Sequence, residues 1–147
     1  MKNRTITKLI SLVSLLAFIC IMYASAQESS SQWINKGRDL DNNSHYDDAI
    51  SCYEKAIALE PQNEVAWFNK GLALYKQGKY DEAIQSYDKA IEIDPQDTDA
   101  WINKGLALYY QGKYDEAIQS YDKAIEIDPQ YAPVSYTHLT LPTIYSV

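Results

Sequence analysis

WFNKGLALYKQGKYDEAIQSYDKAIEIDPQ spans residues 67–96, and WINKGLALYYQGKYDEAIQSYDKAIEIDPQ spans 101–130. The two begin 34 residues apart, and a looser copy, WINKGRDLDNNSHYDDAISCYEKAIALEPQ, fills 33–62 at the same offset. A period of this length marks a repeat architecture, in which each unit is one supersecondary element that cannot bury its apolar face alone. The units run 30–63, 64–97 and 98–131; the second and third share 29 of 34 residues, the first and third 16.

Each unit reads as two helices. In the second, Trp67, Gly71 and Leu74 recur at spacings of four and three, one face of a helix that Gly78 stops. Ala83, Tyr87, Ala90 and Ile91 mark the stripe of the next helix. Asp81 and Glu82 stand in its first turn, where they favour the helix dipole, and Pro95 ends it. Gly71 and Ala83 are expected where the paired helices approach closely, and Ala90 where the next unit docks. Trp67 and Trp101 are expected to be buried between helices.

This pattern resembles the tetratricopeptide repeat, a 34-residue unit with Trp, Gly, a large apolar residue, Ala, an aromatic, Ala and Pro in fixed order. Those places are Trp67, Gly71, Leu74, Ala83, Tyr87, Ala90 and Pro95 in the second unit. They are Trp101, Gly105, Leu108, Ala117, Tyr121, Ala124 and Pro129 in the third, and Trp33, Gly37, Leu40, Ala49, Tyr53, Ala56 and Pro61 in the first. The resemblance covers 30–131. It implies an all-α, right-handed α-solenoid of three helical hairpins, six helices in all, with no catalytic activity. Two departures stand out. Lys36, Lys70 and Lys104 precede the helix-A glycine where the family is usually apolar, and Ser44 replaces the turn glycines Gly78 and Gly112.

The resemblance also implies a binding surface: the concave groove, lined by helix A at the second, fifth, sixth, ninth, twelfth and thirteenth places. In the first unit these are Ser31, Ile34, Asn35, Arg38, Asp41 and Asn42. The second unit supplies Val65, Phe68, Asn69, Leu72, Tyr75 and Lys76; the third, Asp99, Ile102, Asn103, Leu106, Tyr109 and Tyr110. The groove runs from polar to aromatic and suits an amphipathic helix or an extended peptide. The competing reading is that Leu106 and Tyr109 only cover a fourth unit. Some family members grip a C-terminal carboxylate with Lys and Asn, then Asn, then Lys and Arg. The corresponding residues here are Ile34, Arg38, Asn69, Asp99 and Asn103. Asn69 alone matches, and Asp99 would repel a carboxylate.

Outside the units, residues 1–26 hold Lys2, Arg4 and Lys8, an apolar run over 9–23, and Ala24-Ser25-Ala26 before Gln27. That order describes a secretory signal peptide, and so a protein outside the cytoplasm; a retained anchor over 9–26 is the alternative. Cleavage leaves ten basic residues against 20 acids, a net charge of −10, which disfavours nucleic acid and anionic membranes. Membrane attachment would then come only through an uncleaved signal segment. At the other end, 132–147 has no helical period and reads as an unstructured tail; 134–147 looks like translated sequencing adapter, so the natural chain is expected to continue. Without polar caps, Ala117, Ala124 and Ile125 are expected to be partly uncovered and to promote self-association.

No catalytic, cofactor or metal site is expected. Asp39, Asp41 and Asn43 begin like a calcium loop, but Ser44 and Ile50 stand where it needs Gly and Glu. His45 and His138 are the only histidines, and Cys52 is the one cysteine past the signal segment. Asn42-Asn43-Ser44 is a glycosylation sequon. Three functions remain: a scaffold binding a protein or peptide in the groove, the docking arm of a larger truncated enzyme, or a self-associating surface protein.

Overall fold

The computed structural model describes residues 13–15, which are helical, and 28–130. The remainder of the signal segment 1–26, its cleavage point and the 132–147 tail lie outside the described residues. Six helices follow: α1 Ser30–Asn42, α2 Tyr46–Leu59, α3 Glu64–Lys76, α4 Tyr80–Ile93, α5 Thr98–Tyr110 and α6 Tyr114–Ile127. They pair as three hairpins, α1/α2, α3/α4 and α5/α6, stacked in an α-solenoid through the α2–α3 and α4–α5 joints. Helix α3 also touches α1 and α5, so the three odd-numbered helices form one layer.

Local chemistry sets the helix ends. Ser29 and Gln32 close a capping box on α1, and the side chains of Asn63 and Asp97 accept backbone N–H groups at the starts of α3 and α5. The even-numbered helices lack side-chain caps. Their first turns instead carry Asp47 and Asp48, Asp81 and Glu82, Asp115 and Glu116, next to the positive end of the dipole. Gly78 and Gly112 take the left-handed conformation at φ 76° and 77°, and Ser44 takes it at 63°. The first hairpin therefore turns like the others, with a strained serine where glycine is free.

The core is a repeated fit of tyrosine against glycine. Tyr53, Tyr87 and Tyr121 are fully buried. A Cβ on Gly71 would lie 2.7 Å from Cε1 of Tyr87, so the ring occupies the space that the glycine leaves. Ala83 and Ala90 are fully buried as expected, and so are Ala56, Ala66 and Ala100 at the joints.

Three expectations need correction. Trp67 and Trp101 are half-buried. Each indole N–H donates to a turn carbonyl, Pro61 O at 3.0 Å and Pro95 O at 3.1 Å, which holds the ring at the rim. Ala117 and Ala124 are fully buried, because they pack with Ile102, Leu108 and Tyr121 of their own hairpin and need no following unit. Ile125 does stay half-buried where Ile91 is buried. Finally, the N-terminal end is capped. Gln32 and Asp39 are exposed on α1 at the places where α3 and α5 bury Ala66 and Ala73, Ala100 and Ala107.

Candidate functional site

Helices α1, α3 and α5 carry all the groove residues read from the sequence. Asn35, Arg38, Val65, Lys76 and Tyr110 are exposed; Phe68, Asn69, Leu72, Tyr75, Asn103, Leu106 and Tyr109 are half-buried. Ile102 is withdrawn. It is 7% exposed and belongs to the core with Leu108 and Tyr121, as Ile34 belongs to the core with Tyr53. The fifth place thus faces the paired helix when it holds isoleucine. In the second unit the same place holds Phe68, whose larger ring packs on Tyr87 (centroids 6.0 Å apart) and still reaches the surface.

Asn69 and Asn103 each donate from Nδ2 to a carbonyl of their own helix, Val65 O at 2.7 Å and Asp99 O at 2.8 Å. Each amide keeps its Oδ1 as an acceptor. Between them along the helices, Leu72 and Leu106 offer half-exposed apolar surface. This middle stretch can take an apolar side chain between two amide acceptors.

Towards the C-terminal ends of the odd-numbered helices, the twelfth and thirteenth places serve the joints. At the first joint the Lys76 ammonium pairs with the Asp41 carboxylate, whose side chain is 9% exposed, and lies 5.8 Å above the Tyr46 ring. At the second joint the same places hold Tyr75 and Tyr110. Tyr110 meets Tyr75 edge-on at 5.8 Å and stacks on Tyr80 at 5.6 Å. Burial, with Tyr110 beside it, pushes the Tyr75 hydroxyl up to about 12. Sequence reasoning missed Tyr80 and Tyr114. The available signal was tyrosine recurring at the seventeenth place, Tyr46, Tyr80 and Tyr114, at helix starts that need no ring of their own.

Both joints share a polar code. Gln77 Nε2 donates to Asp47 Oδ1 at 2.9 Å, and Gln111 Nε2 to Asp81 Oδ1 at 2.6 Å. Lys70 reaches Glu54 at 2.8 Å and Lys104 reaches Asp88 at 2.6 Å. Those lysines also lie over Trp67 and Trp101, at 5.7 and 5.3 Å, which explains the polar residue at an ordinarily apolar place. Two matching surface hollows of about 500 Å³ open beside these tryptophans, one bounded by Leu74 and Ser86, the other by Leu108 and Ser120. No groove residue lines either. The calcium-like stretch is engaged otherwise, since Asp41 is the buried partner of Lys76.

Family profiles described as tetratricopeptide repeat match residues 34–98 and 98–131. Among solved structures, the chain is similar to the first TPR of Spaghetti (RPAP3) bound to HSP90 peptide SRMEEVD, with a TM-score of 0.75 and 24% identity, covering 79% of this chain and 94% of that one. It is similar to MamA, with a TM-score of 0.68 and 30% identity, covering 69% of this chain and 60% of that one. The Sgt2 TPR domain from Aspergillus fumigatus matches with a TM-score of 0.69 and 24% identity, covering 78% of this chain and 76% of that one. Among curated protein sequences none matches.

Proposed function

Because this chain belongs to the tetratricopeptide-repeat family, whose members are protein-interaction modules, we propose that it is a non-catalytic scaffold that binds a segment of another protein along α1, α3 and α5. The observation that carries the reading is the half-exposed apolar strip of Phe68, Leu72 and Leu106, flanked by Asn69 and Asn103. Apolar surface beside fixed amide acceptors suits an amphipathic segment better than a purely charged one. The Spaghetti domain binds the acidic peptide SRMEEVD. This chain fits such a ligand poorly: Ile34 is buried in the core, Asp99 is exposed, and the chain past residue 26 is strongly acidic. The ligand is therefore an amphipathic segment with basic flanks.

Calorimetry with two helical peptides of one apolar face, basic-flanked and acidic-flanked, tests this. The basic-flanked peptide is expected to bind. Leu72→Ala with Leu106→Ala should weaken it by about tenfold or more, as loss of central apolar contacts does. Equal binding of both peptides, or none of either, would overturn the reading. Export is part of the same proposal, motivated by the basic start, apolar run and A-x-A exit of residues 1–26. N-terminal sequencing after expression in a secreting host should begin at Gln27; a chain still starting at Met1 would refute it.

A further inference from the structure

Outside the groove, the hollow beside Trp67 is one whose filling the chain itself displays elsewhere. It lies within the second hairpin, with Trp67 and Leu74 of α3 on one side and Glu82, Ser86 and Glu92 of α4 on the other. The hollow beside Trp101 repeats these residues one for one. The first hairpin has the same tryptophan, Trp33, and there a lysine of the paired helix is laid on the ring: the Lys55 ammonium sits 4.1 Å from its centroid. Lys89 and Lys123 stand at the place of Lys55, yet each is drawn to a glutamate three residues on, Glu92 and Glu126, at 2.6 Å. The first unit has Ala58 at that place and offers Lys55 no such carboxylate. Lys36, Lys70 and Lys104, from the other helix, lie over the ring in all three units and do not account for the difference.

We propose that the hollow beside Trp67 binds an arginine side chain from a basic segment of another protein, in the place that Lys55 takes on Trp33. Tryptophan is the best ring for a cation, and a guanidinium both stacks on it and pairs with a carboxylate. A volume of about 500 Å³ is ample for one side chain. The charge left over in the hollow is negative. Lys70 is tied to Glu54, Asp88 to Lys104 and Lys89 to Glu92. Glu82 is exposed and has no partner among the described residues. The guanidinium therefore stacks on the indole and pairs with Glu82, and the strongly acidic chain past residue 26 attracts the segment that carries it. The site is independent of the groove, because none of the groove residues lines the hollow.

The indole N–H signals in the nuclear magnetic resonance spectrum of the full chain report each tryptophan separately. The probes are acetyl-Gly-Arg-Gly-amide and its citrulline counterpart, which has the same shape and no charge. The Trp67 signal should move with the arginine peptide and not with the citrulline peptide, while Trp33, already covered by Lys55, stays still. Two exposed positions should then exchange this behaviour. Glu92→Ala copies the first unit and frees Lys89 to cover Trp67; it should weaken the response by about fivefold, the scale of one cation over an exposed ring. Glu92→Ala with Lys89→Met should restore it. Ala58→Glu should draw Lys55 off Trp33 and give that indole a response of its own. Equal movement of Trp33 and Trp67 in the native chain, equal movement with citrulline, or no movement would each overturn the proposal. So would a Trp67 response indifferent to Glu92→Ala, or one that Lys89→Met fails to restore, because the lysine would then not be the competitor.

Discussion

The two joints share one backbone architecture and close it with different chemistry. Asp41 and Lys76 make an ion pair at the first joint, its carboxylate buried and its ammonium partly in water. At the second, the same two places hold Tyr75 and Tyr110, which pack ring on ring with Tyr80. The alanine layers beneath are alike, and so are the Gln–Asp and Lys–acid contacts around them. The solenoid thus tolerates exchange at the rim because the interlocking small residues set the helix spacing. An ion pair is demanding in a way that rings are not: deleting one partner strands a buried charge, whereas deleting one ring removes only contact area.

That contrast can be broken at several levels. If the hairpins beneath the joints are equivalent, Tyr53→Ala and Tyr87→Ala should each cost about 3–5 kcal/mol in chemical denaturation, as large core truncations do. A clear inequality would place the difference in the cores. At the rim, Lys76→Ala should cost about 1–3 kcal/mol by leaving Asp41 buried without its cation. Tyr110→Ala, at a residue 57% exposed, should cost about 1 kcal/mol or less. Joint replacement of Asp41 and Lys76 by tyrosine should restore most of the loss, and failure to do so would show that the rims are not interchangeable.

Acidity sharpens the contrast at the opposite edge. Glu64 starts α3 and shares a hydrogen bond with Asp97, which caps α5, whereas the matching pair in the first unit is the uncharged Ser30 and Asn63. Burial, then the Asp97 carboxylate, raises the Glu64 carboxyl from 4.5 to about 7. The folded state holds that proton more tightly than the unfolded state. The stabilisation is therefore complete below 4.5 and lost as pH rises through about 7. Melting temperatures of the native chain should fall across this window relative to Glu64→Gln; parallel curves for the two would refute the coupling. The smallest effect is expected at Cys52, whose thiol is pushed up by burial. Its counterparts Ser86 and Ser120 each donate to a carbonyl four residues back at 3.0 Å. Cys52→Ser can make the same bond, so its stability should stay within about 0.5 kcal/mol of native.

Much of this was legible from the chain. The period placed six helices and their turns, and the Gly and Ala places anticipated the close approaches, though not the tyrosine ring that fills the space each glycine leaves. The helix termini followed from Gly78, from Asp81 and Glu82, and from Pro95, whereas the caps Asn63 and Asp97 emerged with the structure. The binding strip was legible only in part. Ile34 and Ile102 turn inward while Phe68 at the same place reaches the surface, because side-chain size decides which neighbour a boundary position meets. Tyr75 and Lys76 read as groove residues yet are engaged at the joints, where their partners lie 35 residues away in sequence.

The sequence by itself determined the repeat, because a helical hairpin is a local object: its periodicity, caps and turn conformations are set within 34 residues. It also determined the small-residue places, since close helix approach excludes large side chains whatever the neighbours are. Only the tertiary structure decided what the tryptophans and rim residues do. An indole at the edge of a hairpin is placed by the turn carbonyl that its N–H can reach, and a rim side chain by whatever the next unit presents to it. Likewise, Gln32 and Asp39 are ordinary polar residues along the chain. They stand out only because stacking leaves their face of α1 exposed, with no helix packed over it among the described residues.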